Sequence, residues 1–210
     1  MSKDSEHRKV LVGPAEHFEE KRRFQKDFII SQGLQSHHNY LDIGCGVLRG
    51  GLPLIMYLDT GNYSGCDVDP VVLEEAYKVL QENPNAQNKK PDLQLLQTIR
   101  DFSSSKKYDF VMAYSVLIHM TDSIVEECLD KCSSLLHPEG FFFANVNLGE
   151  TKQINTWKNT FPVNRRPLEF YKNIAARYSM KVEDLGSLLS LGHNADEGSN
   201  AQHMLKFTKD

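Results

Sequence analysis

The fold of this chain is decided by the stretch Asn39–Gly46, NYLDIGCG, together with GCD at residues 65–67. In the first, a short apolar strand runs directly into a glycine turn that opens a helix. In the second, another short strand ends in an acidic residue. Glycines let a ligand approach the backbone closely, because a Cβ would prevent that approach. The acid can accept hydrogen bonds from both hydroxyls of a ribose. The pattern predicts an α/β protein that binds an adenosine-bearing cofactor at this edge.

Strand-like and helix-like segments alternate on both sides of this stretch. The predicted helices span residues 15–35, 50–57, 69–80, 121–136 and 167–180. The predicted strands span residues 40–43, 63–66, 93–96, 108–113, 141–146, 182–189 and 202–208. Such alternation is typical of right-handed crossovers and a mostly parallel sheet. The last two strands, joined by a polar loop, indicate one antiparallel strand near the edge. We expect a single domain over residues 1–210, whose first long helix caps the core or lies across the cofactor mouth.

Composition narrows the class of protein. The 210 residues are 40% apolar and 25% charged, which argues against disorder. The net charge of −4 argues against a general affinity for nucleic acid. The polar amino terminus and the absence of a long apolar run predict a cytoplasmic protein with no membrane partner. The four cysteines lack zinc-site spacing, so we expect reduced thiols and no metal.

Two adenosine cofactors fit a glycine turn after a strand. A dinucleotide site favours G-x-G-x-x-G, but Arg49 occupies the third glycine position after Gly44 and Gly46. Asp42, two residues before the first glycine, would repel a pyrophosphate and attract an ammonium group. S-adenosylmethionine carries an ammonium, a carboxylate and a sulfonium, and no phosphate. The residues therefore favour S-adenosylmethionine, and a nicotinamide dinucleotide stays open as an alternative.

Four pieces in this order and spacing carry a family resemblance. They are LDIGCG at 41–46, YSGCDVDP at 63–70, YDFVMAYSVLIHM at 108–120 and LLHPEG at 135–140. With them the chain resembles the class I S-adenosylmethionine-dependent methyltransferases, whose demethylated product is S-adenosylhomocysteine. The resemblance implies a three-layer αβα sandwich with a seven-stranded, mostly parallel sheet whose last strand is antiparallel. One departure is Leu48, which stands where the family's G-x-G-x-G has its third glycine.

The resemblance also assigns cofactor contacts. Asp42 is expected near the ammonium group, the glycine turn under the cofactor, and Asp67 on the ribose hydroxyls. Asp69 is the expected N-cap of the next helix, which leaves Asp67 facing the ligand. Val68 would pack on the adenine. The full set of predicted cofactor residues is Asp42, Gly44, Cys45, Gly46, Asp67, Val68, Thr98, Ile99, Tyr114 and Ser115.

Methyl transfer needs a base only where the acceptor must lose a proton, and histidine is the usual choice. His119 follows the fourth predicted strand at the carboxyl edge of the sheet, and His193 lies between the last two strands. Both are candidate catalytic residues, with packing histidines as the alternative. Residues 147–166 are predicted to be an irregular insertion at the acceptor site. Its aromatics, Trp157 and Phe161, could cover an organic acceptor, and Arg165 and Arg166 could hold an anion.

The acceptor class can be narrowed from one segment. Family members that methylate adenine or glutamine nitrogens carry Asn or Asp followed by Pro-Pro-Tyr after the fourth strand, whereas this chain has AYSV at 113–116. We therefore predict a methyltransferase for a small organic acceptor, with O-methylation as the favoured chemistry. A peptide or protein acceptor and a non-catalytic S-adenosylmethionine-binding module remain alternatives. Pairing of two copies as a homodimer is a further expectation.

Overall fold

The computed structural model describes residues 3–157 and 161–210, with side chains from His7 onward other than that of Trp157. The helices are α1 Lys3–Val10, α2 Phe18–Ser31, α3 Gly51–Tyr57, α4 Pro70–Glu82, α5 Pro84–Gln87, α6 Asp122–Leu135, α7 Leu168–Arg177 and α8 Glu197–Asn200. The strands are β1 Tyr40–Ile43, β2 Tyr63–Asp67, β3 Asp92–Leu95, β4 Tyr108–Ala113, β5 Leu136–Leu148, β6 Lys152–Trp157, β7 Phe161–Arg166, β8 Met180–Ser187 and β9 His203–Lys209.

Seven strands form the central sheet in the order β3-β2-β1-β4-β5-β9-β8. The pairs among β1 to β5 are parallel. Strand β9 lies between β5 and β8 and is antiparallel to both. The expected fold class, a seven-stranded mostly parallel sheet ending in an antiparallel strand, is confirmed. Two further strands, β6 and β7, are added beyond it.

Helices cover both faces of this sheet, which gives the three-layer sandwich. Successive strand residues point to opposite faces. In β1, Leu41 and Ile43 join one buried cluster with α6 and α7, whereas Tyr40 joins another with α2, α3 and α4. Asp42 shares the face of Tyr40 and is 5% exposed. An acid is therefore held inside the apolar layer, at the end of a central strand.

Local caps start the helices that flank the cofactor edge. The Asp69 carboxylate accepts hydrogen bonds from the N–H groups of Val71 and Val72, and Pro70 occupies the first helical position of α4. The Thr121 hydroxyl accepts from the Ile124 N–H at the start of α6. The predicted N-cap at Asp69 is confirmed. It turns the Asp69 side chain toward the helix and away from the role expected of Asp67.

The structure corrects the sequence prediction in two segments. The helix expected over 15–35 is a 3₁₀ turn at Ala15–His17 followed by the shorter α2, and α1 precedes it. The irregular structure expected for 147–166 is wrong, because β6 and β7 pair there as antiparallel strands. Strand β7 also pairs in parallel with Asn147 and Leu148 of β5, beyond the point where β4 ends. The strand form of β7 depends on its pairing with β6 and β5, which local propensity does not report.

No helix among the described residues is both long enough and apolar enough to cross a membrane.

Candidate active site

A cavity of about 520 Å³ lies at the carboxyl ends of β1, β2 and β4. Ligands bind at this edge in open α/β sheets, because the strand order reverses there. Its lining includes residues 42–46, Asp67–Asp69, 96–99, 114–116 and 118–120, and from the amino-terminal side residues 11–14. All ten predicted cofactor residues line this cavity. Which group each of them binds stays a prediction.

The turn after β1 depends on a backbone that side chains disfavour. Gly44 and Gly46 have φ of +70° and +57°. A Cβ on Gly44 would collide with the Val116 side chain, and one on Gly46 would lie 2.9 Å from Val12 Cγ1. Leu48 has φ of +60°, which lies in the left-handed region that favours glycine. Its side chain is fully buried, and this burial offsets the backbone strain.

Asp67 is oriented by the turn that it faces. Its Oδ2 accepts from the Gly46 N–H and its Oδ1 from the Asp69 N–H, both at 3.0 Å. Burial raises the pKa of Asp67, while these backbone hydrogen bonds oppose that shift. A carboxylate has about four acceptor sites. Two of them are used by the backbone, which leaves capacity for the two hydroxyls of a ribose.

Asp42 is a buried acid that titrates near neutral pH. Its Oδ2 accepts a hydrogen bond from the Tyr63 hydroxyl at 2.8 Å. Burial raises the pKa of Asp42 to about 7, with the Tyr63 hydrogen bond and the Arg49 charge acting in the opposite direction. A cation bound beside Asp42 would favour the ionised carboxylate. The side chain therefore fits an ammonium-bearing ligand better than a phosphate.

Arg49 and Tyr114 present polar atoms to the same end of the cavity. The Arg49 guanidinium lies 5.6 Å from the centroid of the Tyr114 ring and donates from Nη1 to the Val12 carbonyl at 2.9 Å. Within the described parts of the chain, buried Arg49 Nε and Tyr114 OH have no hydrogen-bond partner. Unpaired buried donors are costly unless a ligand meets them. A ligand carboxylate could accept a hydrogen bond from each of these two donors.

The remaining predicted cofactor residues differ in what they expose. Val68 is 53% exposed at the rim, which suits a planar apolar ligand. Thr98 caps a short 3₁₀ turn with Asp101, whereas the Ile99 side chain is buried in the core. Cys45 is a buried free thiol in the turn itself. Thr98 is thus exposed to the cavity, and Ile99 can offer a ligand little beyond its backbone.

Ser115 lies in a strained backbone conformation directly after β4. Its φ is +59°, which is uncommon for a residue with a Cβ. The Ser115 N–H donates to Asn145 Oδ1 at 2.6 Å, and Asn145 Nδ2 donates to Gln202. Asn145 is fully buried in β5. A buried amide network therefore fixes the point at which the chain turns into the cavity.

His119 is half-buried in the 3₁₀ turn Leu117–His119 and lines the cavity. Its Nδ1 lies 2.9 Å from the Pro162 carbonyl oxygen of β7. A carbonyl only accepts, so Nδ1 carries the proton and the neutral ring has its lone pair on Nε2. Burial lowers the pKa of His119, and the Pro162 hydrogen bond opposes that shift. The ring is therefore a neutral base near pH 7.

His193 does not line the cavity, and its placement argues against the role of base. It is 1% exposed, and its Nδ1 lies 2.6 Å from Asn200 Oδ1. The Phe24 ring packs against it edge-on at 5.0 Å between centroids. Burial lowers the pKa of His193, so the ring stays neutral. The packing alternative describes this histidine better.

The arginines expected to hold an anionic acceptor do not reach the cavity. Arg165 is exposed. Arg166 is 2% exposed and forms an ion pair with Asp122, with 2.8 Å between Nε and Oδ1. Phe161 lines the cavity as expected, whereas the Trp157 side chain lies outside the described residues. The acceptor end is instead bounded by an apolar set, Ile118, Met120, Ile124 and Phe161.

A strap that sequence reasoning missed closes the cofactor side. We use strap for Leu11–Pro14, all four of which line the cavity. The Arg8 guanidinium ties α1 to α4, reaching Glu75 at 3.1 Å and Glu82 at 2.8 Å. Leu11 and Val12 pack on Phe18, Val47 and Val72. The only signal in the sequence was the Gly13-Pro14 pair, which marks a turn without showing what it covers.

The segment that carries this site also matches a known protein family. A family model described as a methyltransferase domain matches residues 41–142, which hold the glycine turn, Asp67 and His119. These residues form a methyltransferase domain, and the chain is an S-adenosylmethionine-dependent methyltransferase with the class I fold. Its cofactor is S-adenosylmethionine. The site fits that molecule through the buried Asp42, through Asp67, and through the unpaired polar atoms of Arg49 and Tyr114.

Solved structures share the fold of this methyltransferase at low sequence identity. Magnesium protoporphyrin IX methyltransferase from Synechocystis PCC 6803 with bound SAH has a TM-score of 0.68 and 16% identity, over 91% of this chain and 84% of that one. The CcbJ methyltransferase from Streptomyces caelestis has a TM-score of 0.67 and 14% identity, over 100% and 99%. The glycopeptide N-methyltransferase MtfA has a TM-score of 0.67 and 13% identity, over 90% of each chain.

Proposed function

We propose that this methyltransferase acts on a hydroxyl group of a small organic acceptor, with His119 as the general base. The observation that carries the proposal is the contact of 2.9 Å between His119 Nδ1 and the Pro162 carbonyl oxygen, from which the tautomer of the ring follows. The Pro162 carbonyl holds the proton on Nδ1, and burial keeps the ring neutral. A hydroxyl must lose a proton as it is methylated, and a neutral imidazole can take it. We also propose that the chain folds as a single domain and that it acts without a nucleic-acid partner.

The cofactor end of the cavity receives the nucleoside and the amino acid group. Asp67 would accept from the ribose hydroxyls, Asp42 would meet the ammonium, and Arg49 with Tyr114 would meet the carboxylate. When bound, S-adenosylmethionine supplies a methyl group on a sulfonium, so the acceptor O–CH₃ bond forms as the S–CH₃ bond breaks, leaving S-adenosylhomocysteine. His119 Nε2 takes the acceptor proton. Holding the two reactants in line can contribute roughly 7–11 kcal/mol.

The acceptor end supports a small apolar molecule. Ile118, Met120, Ile124 and Phe161 form its walls, and the whole cavity measures about 520 Å³. Cavities of this size are in the range of small-molecule sites. A peptide acceptor would need an extended groove, whereas these apolar residues line the same cavity as the glycine turn. The glycopeptide N-methyltransferase among the structural neighbours keeps an amine acceptor as the competing chemistry.

The test is a paired acceptor screen with methyl-labelled S-adenosylmethionine. Small aromatic and aliphatic compounds would be offered as hydroxyl, amine and methoxy members of each scaffold. We expect label transfer to hydroxyl members, a fall in that transfer at acidic pH as His119 becomes protonated, and none to the blocked methoxy members. Preferential transfer to amines or to peptides would overturn the acceptor assignment. Tight binding of S-adenosylhomocysteine with transfer to none of these acceptors would favour a cofactor-binding module without catalysis.

A further inference from the structure

We propose that Arg166 is a positioning residue that holds His119 in its reactive orientation from the neighbouring strand β7. The proposal rests on the assigned role of His119 for its catalytic meaning. Its structural content is a set of contacts between two segments, the turn Leu117–Asp122 and strand β7. We call the first segment the base turn.

All three guanidinium nitrogens of Arg166 contact the base turn. Its Nη1 lies 3.5 Å from the Leu117 carbonyl oxygen, and its Nη2 donates to the Met120 carbonyl at 2.6 Å. Its Nε donates to Asp122 Oδ1 at 2.8 Å. The guanidinium also lies 5.0 Å from the centroid of the Phe170 ring. The carbonyls of residues 117 and 120 flank His119 on either side, so Arg166 fixes the backbone from which that ring projects.

Two other residues of β7 bind the base turn beside Arg166. Asn164 Nδ2 donates to the Met120 carbonyl at 3.0 Å. The Pro162 carbonyl accepts from His119 Nδ1, as described above. Asn164 and Arg166 lie on alternate positions of the strand, so their side chains share a face, whereas Pro162 contacts the turn through its backbone carbonyl. Strand β7 therefore contacts the base turn through two side chains and one backbone carbonyl.

The charge of Arg166 is not explained by stability alone. Its side chain is 2% exposed, whereas the Asp122 side chain is 64% exposed, so the ion pair is buried on one side only. Replacing a buried ion pair by an apolar side chain of similar volume is often neutral or stabilising. What an apolar residue cannot supply is the fixed fork of donors that reaches two backbone carbonyls and a carboxylate together. This difference points to geometry as the function of the guanidinium.

The test reads the His119 ring directly by ¹⁵N NMR of the histidine-labelled protein saturated with S-adenosylhomocysteine. His119 would be assigned by the loss of its signals in His119→Gln. In the unmodified protein we expect an Nδ1–H tautomer and a pKa below the ordinary value of about 6.5. In Arg166→Met we expect a mixed tautomer and a pKa that moves toward that value. Arg166→Lys, which keeps the charge and loses the fork, should fall between.

The control is Arg165→Met, an exposed neighbour on the same strand, which should leave the His119 spectrum unchanged. Thermal unfolding would be recorded for every variant. Arg166→Met with a lower melting temperature and an unchanged His119 tautomer and pKa would show a purely structural role and overturn the proposal. If Arg166→Met does not fold, Arg166→Lys gives the same decision, since an unchanged His119 spectrum in that variant contradicts the proposal. Because the readout needs no methyl acceptor, a failed proposed function and a failed role for Arg166 are distinguishable.

Discussion

The two ends of the cavity hold their functional side chains by different means. At the cofactor end, Asp42 and Asp67 lie on β1 and β2, and the glycine turn between them is fixed by hydrogen bonds to the Cys66 carbonyl. At the acceptor end, His119 lies in a short 3₁₀ turn whose position depends on side chains of β7. The first end is built into the parallel sheet. The second is assembled by contact between segments far apart in the chain.

This difference has an energetic consequence. Changes confined to one end should leave the other end's function intact, because sites without shared partners usually behave additively. Cofactor affinity should then respond to Asp67, Asp42 and the strap. Methyl transfer at saturating cofactor should respond to His119 and to the contacts that hold it.

The largest expected effect is at the acceptor end. His119→Gln should slow methyl transfer by about 10²–10⁴-fold, because the glutamine amide can bond the Pro162 carbonyl but cannot take a proton. Turnover would be followed with labelled S-adenosylmethionine and an acceptor from the screen. His137→Gln, at an exposed position near the start of β5, is the control and should keep full activity. Retained turnover in His119→Gln would show that this histidine only lines the pocket and does not act as a base.

The next effect is at the cofactor end. Asp67→Ala should weaken S-adenosylhomocysteine binding by about 1–3 kcal/mol, since two ribose hydroxyls lose a charged acceptor. Isothermal titration calorimetry measures the change. Asp69→Asn is the matched control, because asparagine caps a helix as well as aspartate does and removes a charge two residues away. An equal loss in both variants would attribute the effect to general charge and remove the ribose assignment.

The pH dependence of cofactor binding tests Asp42. Its pKa of about 7 means that the buried acid is increasingly protonated below pH 7, whereas an ammonium group favours the ionised form. Binding should therefore release a proton below pH 7, and affinity should fall by at most about tenfold per pH unit as the pH drops. Above pH 7 it should level off. Titrations in buffers of different ionisation enthalpy measure the released proton.

Asp42→Asn is the control for that experiment. It should bind weakly at every pH and lose the pH dependence between 6 and 8. A variant that keeps the same pH profile would assign the linked proton to another group. Tyr63→Phe removes the hydrogen bond that lowers the pKa of Asp42, so it should move the midpoint upward.

The smallest effect is expected from the strap. Arg8→Met removes the ion pairs with Glu75 and Glu82 that anchor α1, and should weaken S-adenosylhomocysteine binding by about 1 kcal/mol or less, as partly exposed pairs contribute little. Methyl transfer at saturating cofactor should not change. Arg23→Met, which removes a surface pair with Glu20, is the control. Faster cofactor release in both variants would point to net charge instead of the anchor.

The sequence was informative where short motifs coincide with sheet geometry. The glycine turn, Asp67 and the Asp69 cap occur within consecutive βα units, so their relative placement follows from the parallel crossover itself. The sequence also predicted a mostly parallel sheet with one antiparallel strand near its edge, and the structure has both. Leu48 in a glycine-like backbone conformation shows one limit, since no local rule predicts that a buried leucine will tolerate φ of +60°.

The acceptor end could not be predicted because its geometry is made by tertiary contacts. Arg166 and Asp122 are far from each other in the chain. Arg166 was expected to hold an anionic acceptor, but it forms an ion pair with Asp122 inside the protein. Strand β7 pairs with β6 and, where β5 extends past β4, also with β5. His193 was placed in a loop by sequence, and packing against Phe24 buried it.

The most direct test of the separation between the two ends is a side-by-side calorimetric titration of His119→Gln and Asp67→Ala with S-adenosylhomocysteine. The account predicts the affinity of the unmodified protein for His119→Gln and an affinity lower by about 1–3 kcal/mol for Asp67→Ala. A comparable loss in His119→Gln would contradict it, because the histidine would then belong to the cofactor site.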